Sequence, residues 1–278
     1  MTKLKKVVIP VAGLGTRMLP ATKVVPKEML PVARIPLIQF IVKEAIDAGF
    51  SEIILISRKA KNLVKDHFEK NSNLESSLKR DSKKTLLNDL KEIEDVKNKI
   101  FYVKQKEAKG LGHAILCASS IIANEPFAVM LPDMLLDSNY KKNNLALMKK
   151  NYENSGESSL LLGKVKKSDV KKYGIAKFAS NANKKNFFPI QDLIEKPSPS
   201  KAPSNLFVVG RYVFDNEILS FLSKEKADVS GEIQLTGAIS KFLNSSKKIN
   251  GLLLEGNVYD CGNQLGYLLA NLAFSFKD

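Results

Sequence analysis

The residues most able to do chemistry on a phosphorylated substrate begin at Gly13–Pro31, GLGTRMLPATKVVPKEMLP, directly after the apolar run that ends KVVIPVA. Gly13, Leu14, Gly15 and Thr16 open this loop. Glycines at the carboxyl end of a strand let backbone amides approach phosphate oxygens, although the same residues would also serve a plain tight turn. The rest of the loop favours the phosphate. Arg17, Lys23 and Lys27 place three cations within eleven residues, and Pro20, Pro26 and Pro31 stiffen the segment that carries them. Such an arm can wrap a polyphosphate. It matches neither common fingerprint, because the dinucleotide pattern needs glycine where Met18 stands and the P-loop needs a Gly-Lys-Ser/Thr that is absent. Further along, Asp133 follows the apolar run AVMLP at a strand's carboxyl end, where a carboxylate can face a ligand crevice. Glu195 and Lys196 end LIEKP, either as an exposed turn or as an acceptor for sugar hydroxyls beside a cation for a phosphate. Gln105, taken alone, reads as a solvent-exposed strand-end residue.

Elements must hold these groups in place. Pro36 and the spacing of Leu37, Ile38, Ile41, Val42, Ala45 and Ile46 predict a helix that Gly49 stops. EIILIS at 52–57 reads as a buried parallel strand and 62–69 as a short helix. Strand–helix alternation resumes after residue 100, with strands at 100–104, 127–131, 159–165, 175–179, 187–195, 206–214 and 252–255. Helices are expected at 112–122, 144–152, 216–223, 232–244 and 264–276. This is the pattern of an α/β protein with crossovers. The polar stretch 70–98 interrupts it, and its narrow stripe of Leu74, Leu78, Leu86, Leu87, Leu90 and Ile93 predicts an inserted surface helix or helix pair. With no repeat and no Gly/Ser linker, residues 1–278 read as one domain, nucleotide-binding in its first half and substrate-binding in its second.

The 278 residues are 44% apolar and 26% charged, and no apolar run reaches the roughly 18 residues of a membrane span. The N-terminus shows no cleavable apolar segment, and Cys117 and Cys261 are too few and too far apart for a disulfide framework or a zinc cluster. A cytoplasmic setting is expected. The net charge of +15 raises the question of nucleic acid, but only five of the 44 cations are arginine and the lysines are scattered, as in Lys83-Lys84 and Lys149-Lys150. A lysine-rich surface accounts for most of the surplus, and no nucleic-acid partner is expected.

The loop at 13–31 resembles the signature of bacterial nucleotidyltransferases that join a sugar 1-phosphate to a nucleoside triphosphate, in particular the UTP–glucose-1-phosphate uridylyltransferases (UDP-glucose pyrophosphorylases). QKEAKGLGHAILCA at 105–118, FAVMLPD ending at Asp133, YGIA at 173–176, LIEKP ending at Pro197, SNLFVVGRYVF at 204–214, SGEIQLT at 230–236 and YDCGNQLGYLLAN at 259–271 resemble that family in its order. The insert at 70–98 is similar to the uridylyl enzymes rather than to the shorter thymidylyltransferases.

The resemblance implies a Rossmann-like three-layer α/β fold with a mixed, mostly parallel sheet, the nucleotide-diphospho-sugar transferase fold. It implies a reaction of MgUTP with glucose 1-phosphate to give UDP-glucose and pyrophosphate, or the same chemistry on another nucleotide or sugar phosphate. Its site assignments are as follows: Gly13, Leu14, Gly15 and Thr16 cradle the triphosphate, Arg17 holds the leaving phosphates, and Lys27 reaches the reacting ones. Gln105, Gly110 and Gly112 lie at the uracil. Asp133 and Asp260 hold Mg2+. Glu195 takes the glucose hydroxyls and Lys196 the sugar phosphate, while Gly174 and Gly210 leave room for the sugar. A homodimer or homotetramer is implied. Two departures are visible: Met134 stands where relatives carry an acidic or small residue, and Gly237 where they often carry aspartate. The reaction requires no covalent nucleophile, so His67 reads as an ordinary helix-surface histidine and His113 as one that packs or makes a local hydrogen bond rather than acting as a base.

Overall fold

The computed structural model describes residues 3–58, 63–137, 143–179 and 187–276. Its first strand, β1 (Lys6–Pro10), is buried on both faces, Val7 and Ile9 meeting one apolar layer and Val8 the other. The alternation of a strand between two cores is what builds three layers. After β1 the chain makes three single-turn 3-10 segments at 16–18, 21–23 and 27–29, as a proline-braced loop should, and then a small hairpin, β2 (Pro31–Val32) and β3 (Ile35–Pro36). Helix α1 (Leu37–Asp47) follows with Pro36 as its cap, and Gly49 ends it at φ +82°. Next come β4 (Glu52–Ser57) and α2 (Leu63–Phe68); residue 62, the expected start of that helix, lies outside the described residues.

The insert resolves into two helices, α3 (Ser72–Arg80), capped by the Asn71 side chain, and α4 (Lys84–Glu94). They are followed by β5 (Ile100–Lys104). The helix expected at 112–122 starts two residues earlier and is broken at Ala118 into α5 (Gly110–Cys117) and α6 (Ser119–Ile122). Beyond it lie β6 (Phe127–Met130), β7 (Met134–Asp137), α7 (Asn144–Ser155), β8 (Ser158–Lys164), β9 (Gly174–Phe178), β10 (Phe188–Glu195) and β11 (Leu206–Phe214). The chain closes with α8 (Ile218–Ser223), α9 (Leu235–Asn244), β12 (Ile249–Leu253), β13 (Asn257–Asp260) and α10 (Gln264–Ser275).

Nine strands form one sheet in the order β5-β4-β1-β6-β11-β8-β12-β10-β9. The β5-β4-β1-β6 side is parallel throughout, β12 is parallel to β8, and β11 and β10 run antiparallel to their neighbours, so the sheet is mixed. From β1 the chain goes out to β4 and β5 on one side, then returns to β6 on the other. That reversal opens a crevice at the carboxyl ends of β1 and β6, the place where open α/β sheets take ligands. The loop after β1 carries Gly13 and the loop after β6 carries Asp133. A second, two-stranded ribbon pairs β7 with β13 antiparallel, Met134 opposite Asp260. Strands of four residues with little alternation gave no sequence signal, and neither β7 nor β13 was among the expected elements. Among the described residues no helix is long and apolar enough to cross a membrane, and Cys117 and Cys261 are free thiols.

Candidate active site

The ribbon brings two distant acids together. Because Asp260 lies opposite Met134, its neighbour Asp133 sits beside it, tied by Cys261 N–H donating to the Asp133 carbonyl at 2.8 Å. A methyl group built on Gly262 would stand 2.8 Å from Asp133 Oδ2, 2.9 Å from Asp260 Oδ1 and 3.5 Å from an Arg17 guanidinium nitrogen. The missing side chain of Gly262 therefore leaves a small space ringed by two carboxylates and a cation. Asp260 is oriented from several directions: Tyr173 Oη donates to its Oδ2 at 3.0 Å and Gly262 N–H to its Oδ1 at 3.0 Å, while Asn263 Nδ2 donates to its carbonyl at 2.9 Å.

Lys27 Nζ lies 2.5 Å from Asp133 Oδ2, with both side chains largely buried. Burial opposes the charge on each. The mutual attraction outweighs it, so the Asp133 carboxyl is held below the usual carboxylate range and the Lys27 ammonium above the usual lysine range. Gly13 leaves space for that lysine, its absent Cβ lying 3.3 Å from Lys27 Cε. Gly15 turns the loop at φ +64°, and Thr22 Oγ1 closes the turn by donating to its carbonyl at 2.7 Å.

Two cavities meet at these groups. One, of about 490 Å³, is lined by Gly13, Leu14, Gly15, Thr16 and Lys27 from the loop after β1, and by Gln105, Gly110 and Glu232 opposite. The other, of about 500 Å³, is lined by Tyr173, Gly174, Glu195, Gln234, Thr236 and Asp260. Arg17, Leu111, Leu131, Asp133 and Lys196 border both. Lys196 holds a left-handed backbone, φ +43°, with its N–H bonded to the Tyr173 carbonyl; a non-glycine residue there is strained, and such strain concentrates at functional positions. Glu195 Oε2 accepts from Thr236 Oγ1 at 2.6 Å, and Gly174 keeps the space in front of them open.

Two glycines sit elsewhere than expected. Gly210 lines neither cavity: it is buried in a bulge of β11 at φ +90°, and a Cβ there would stand 2.8 Å from Leu131 Cδ1, so its function is to let Leu131 pack. Gly112 is also buried away from both cavities, where a Cβ would come within 2.7 Å of the Ile233 carbonyl. Its missing side chain admits the 232–233 segment, while Gly110, at φ +83°, faces the cavity. Met134 packs against the apolar core and also lines the second cavity, so the first departure puts an apolar side chain at the cavity wall.

Sequence reasoning passed over Tyr173, Thr236, Gly262 and Arg211. The first three stand inside the motifs YGIA, EIQLT and YDCGN, so the signal was present without a chemical type that marked it. Arg211 is fully buried and pairs in bidentate fashion with Glu44 at 3.0 and 2.7 Å. It also donates to the carbonyls of Leu131 and Met134, which pins the turn carrying Asp133.

For an oxygen-seeking divalent cation the donor set fits: two hard carboxylates at one end of a phosphate-sized crevice, with the remaining positions left to substrate and water. Among the described residues no group of three or more His, Cys, Asp or Glu could complete a protein-only cage.

The sequence matches the nucleotidyl transferase family over residues 6–275. It is 42% identical over 276 residues to the UTP–glucose-1-phosphate uridylyltransferase of Haemophilus ducreyi, covering 98% of this chain and 93% of the relative. Against that of Escherichia coli K12 it is 42% identical over 281 residues, covering 99% and 92%. Among solved structures, a UTP-bound UGPase from Acinetobacter baumannii superposes with a TM-score of 0.91 at 38% identity, over 99% of this chain and 94% of that one. A UDP-glucose pyrophosphorylase complexed with UDP-glucose gives 0.86 at 37%, over 99% and 100%. With the crevice at the carboxyl ends of β1 and β6 in the place this fold uses, the chain belongs to the nucleotidyl transferase family, in its UTP–glucose-1-phosphate uridylyltransferase branch.

Proposed function

We propose that this chain catalyses the reaction of UTP with glucose 1-phosphate to give UDP-glucose and pyrophosphate. The observation that carries the reading is the meeting of two cavities of substrate size across one shared border of Arg17, Asp133 and Lys196. A phosphate oxygen of the sugar phosphate attacks the α-phosphorus, and the bond to the β-phosphate oxygen breaks with its electron pair leaving on pyrophosphate. Both reactants are anions, so the protein's task is to align them and neutralise charge.

In this reading Gly13, Gly15 and Thr16 present backbone donors to the triphosphate, Arg17 holds the departing phosphates, and Lys27 shifts from Asp133 toward the reacting ones. Lys196 holds the sugar phosphate at the border. Glu195, fixed by Thr236, accepts from the sugar hydroxyls in front of Gly174. Asp133 and Asp260 would hold Mg2+, whose part is to offset negative charge on the triphosphate. The first half of the chain thus serves the nucleotide and the second the sugar phosphate.

The test is pyrophosphate release by the purified chain from UTP, glucose 1-phosphate and Mg2+, with UDP-glucose identified as the product. Excess chelator should abolish it; undiminished activity would exclude the two-carboxylate scheme, and faster turnover with TTP or ATP would reassign the nucleotide. We also propose a homodimer or homotetramer, supported by the exposed Leu265, Leu268, Leu269, Leu272 and Phe276 along and just beyond α10, a helix without a single charged residue in a chain of net charge +15. A cytoplasmic setting is supported by the two unpaired thiols.

A further inference from the structure

At the base end of the nucleotide cavity, the carboxamide of Gln105 is held in a single orientation. Its nitrogen lies 3.3 Å from the Gly110 carbonyl oxygen and 2.9 Å from His113 Nδ1. Only the NH2 end of an amide can face a carbonyl, so the hydrogens of Nε2 point to these two partners. His113 Nδ1 must then offer its lone pair, which puts the imidazole hydrogen on Nε2. Both amide hydrogens are spent inside the protein. Among the described residues nothing donates to Gln105 Oε1, yet that atom is not sealed from solvent, and Gln105 lines the cavity.

We propose that His113 is a specificity-determining positioning residue: together with the Gly110 carbonyl it commits Gln105 to show the incoming base an acceptor and no donor. An imide N–H, as uracil and thymine carry between two carbonyls, donates to Oε1. The corresponding ring nitrogen of cytosine carries a lone pair there and is repelled. The carbonyl contact is the longer of the two, so the imidazole supplies the firmer half of the lock. Without it the amide can rotate and present NH2, which suits cytosine. This inference rests on the reading of the cavity as the nucleoside triphosphate site.

The experiment compares kcat/KM for UTP, 5-methyl-UTP and CTP at saturating glucose 1-phosphate, which keeps the ribose constant, in the parent enzyme and in His113→Leu and His113→Asn. The parent should use UTP and 5-methyl-UTP and reject CTP. His113→Leu should raise the KM for UTP, leave that for glucose 1-phosphate in place and narrow the UTP/CTP ratio by about tenfold, the scale of losing one orienting hydrogen bond. His113→Asn, whose Oδ1 can accept where Nδ1 did, should keep the ratio and provides the reading if the leucine variant fails to fold. An unchanged ratio in His113→Leu, or a ratio in His113→Asn as narrow as in His113→Leu, overturns the proposal and leaves the nucleotidyl transfer intact. A parent enzyme that releases no pyrophosphate from UTP overturns the underlying reading and the proposal with it.

Discussion

At the scale of single residues, Asp133 and Lys196 both border the two cavities but differ in what removing them does. Lys196 is exposed and its ion pair with Glu195 is long, at 3.4 Å, so Lys196→Ala should leave the melting temperature in place while lowering kcat by roughly 100-fold, as loss of one preorganised charge does. Near-normal turnover would remove Lys196 from the mechanism. Asp133→Ala should cost turnover on the same scale and also about 3 kcal/mol of stability, because Lys27 is left buried without its partner. Denaturant unfolding separates the two variants. The neighbour of Lys27 is more unusual still: Glu28 is buried with both carboxyl oxygens unpaired, and burial, only partly countered by Lys27, pushes it up to about 7 from an ordinary 4.5. Between those values the folded chain keeps a proton that the unfolded chain has lost. The associated stability is complete below pH 4.5 and is lost as pH rises toward 7. Glu28→Gln should therefore be the more stable protein at pH 8, by on the order of 2–3 kcal/mol, with the difference fading toward pH 4. Equal stabilities across that range would show that Glu28 ionises normally.

At the scale of elements, the ribbon of β7 and β13 decides whether Asp260 can reach Asp133, and α10 locks it from behind. Asn263 caps α10 by accepting from Gly266 N–H at 2.9 Å, and a Cβ on Gly266 would fall 2.1 Å from the Asp260 carbonyl. No rotamer change relieves a clash with backbone. Gly266→Ala should displace Asp260, lowering activity about tenfold and stability by about 2 kcal/mol; a variant with parental kinetics would mean that the turn tolerates a shift. Most of the large elements were legible in the sequence because their periodicity is long and clean: α1, β4, β5, β11 and α7 fall within a few residues of expectation. The ribbon was not, since its pairing joins strands more than a hundred residues apart, and nothing local distinguishes MLLD or NVYD from loop. The helix begun at Gly110 rather than Gly112 reflects the same limit. Its first turn is set by the 232–233 segment, through Gly112 N–H donating to the Ile233 carbonyl and Ile233 N–H to the Lys109 carbonyl.

At the scale of the whole molecule, the surplus of positive charge and the apolar face of α10 are surface properties with different consequences. Of the five arginines, Arg211 is spent in the core and Arg17 at the cavities, which leaves a surface whose cations are almost all lysine. The stripe along α10 predicts association through that helix. Leu268→Glu combined with Leu272→Glu should shift the mass measured by light scattering to that of one chain, without altering the fold seen by circular dichroism. An unchanged mass would assign the contact to another surface. What the sequence determined by itself was most of the long strands and helices, the cationic arm and Asp133 at a strand's end, because periodicity, proline placement and side-chain chemistry are written locally, whereas Asp260 entered only through the family resemblance of YDCGN. Only the tertiary structure decided that Gly210 and Gly112 serve packing, that Arg211 pins the Asp133 turn, and that His113 orients Gln105. Each of those depends on which distant backbone lies within 3 Å, a quantity that the closing of the sheet and its ribbon creates and no window of sequence contains.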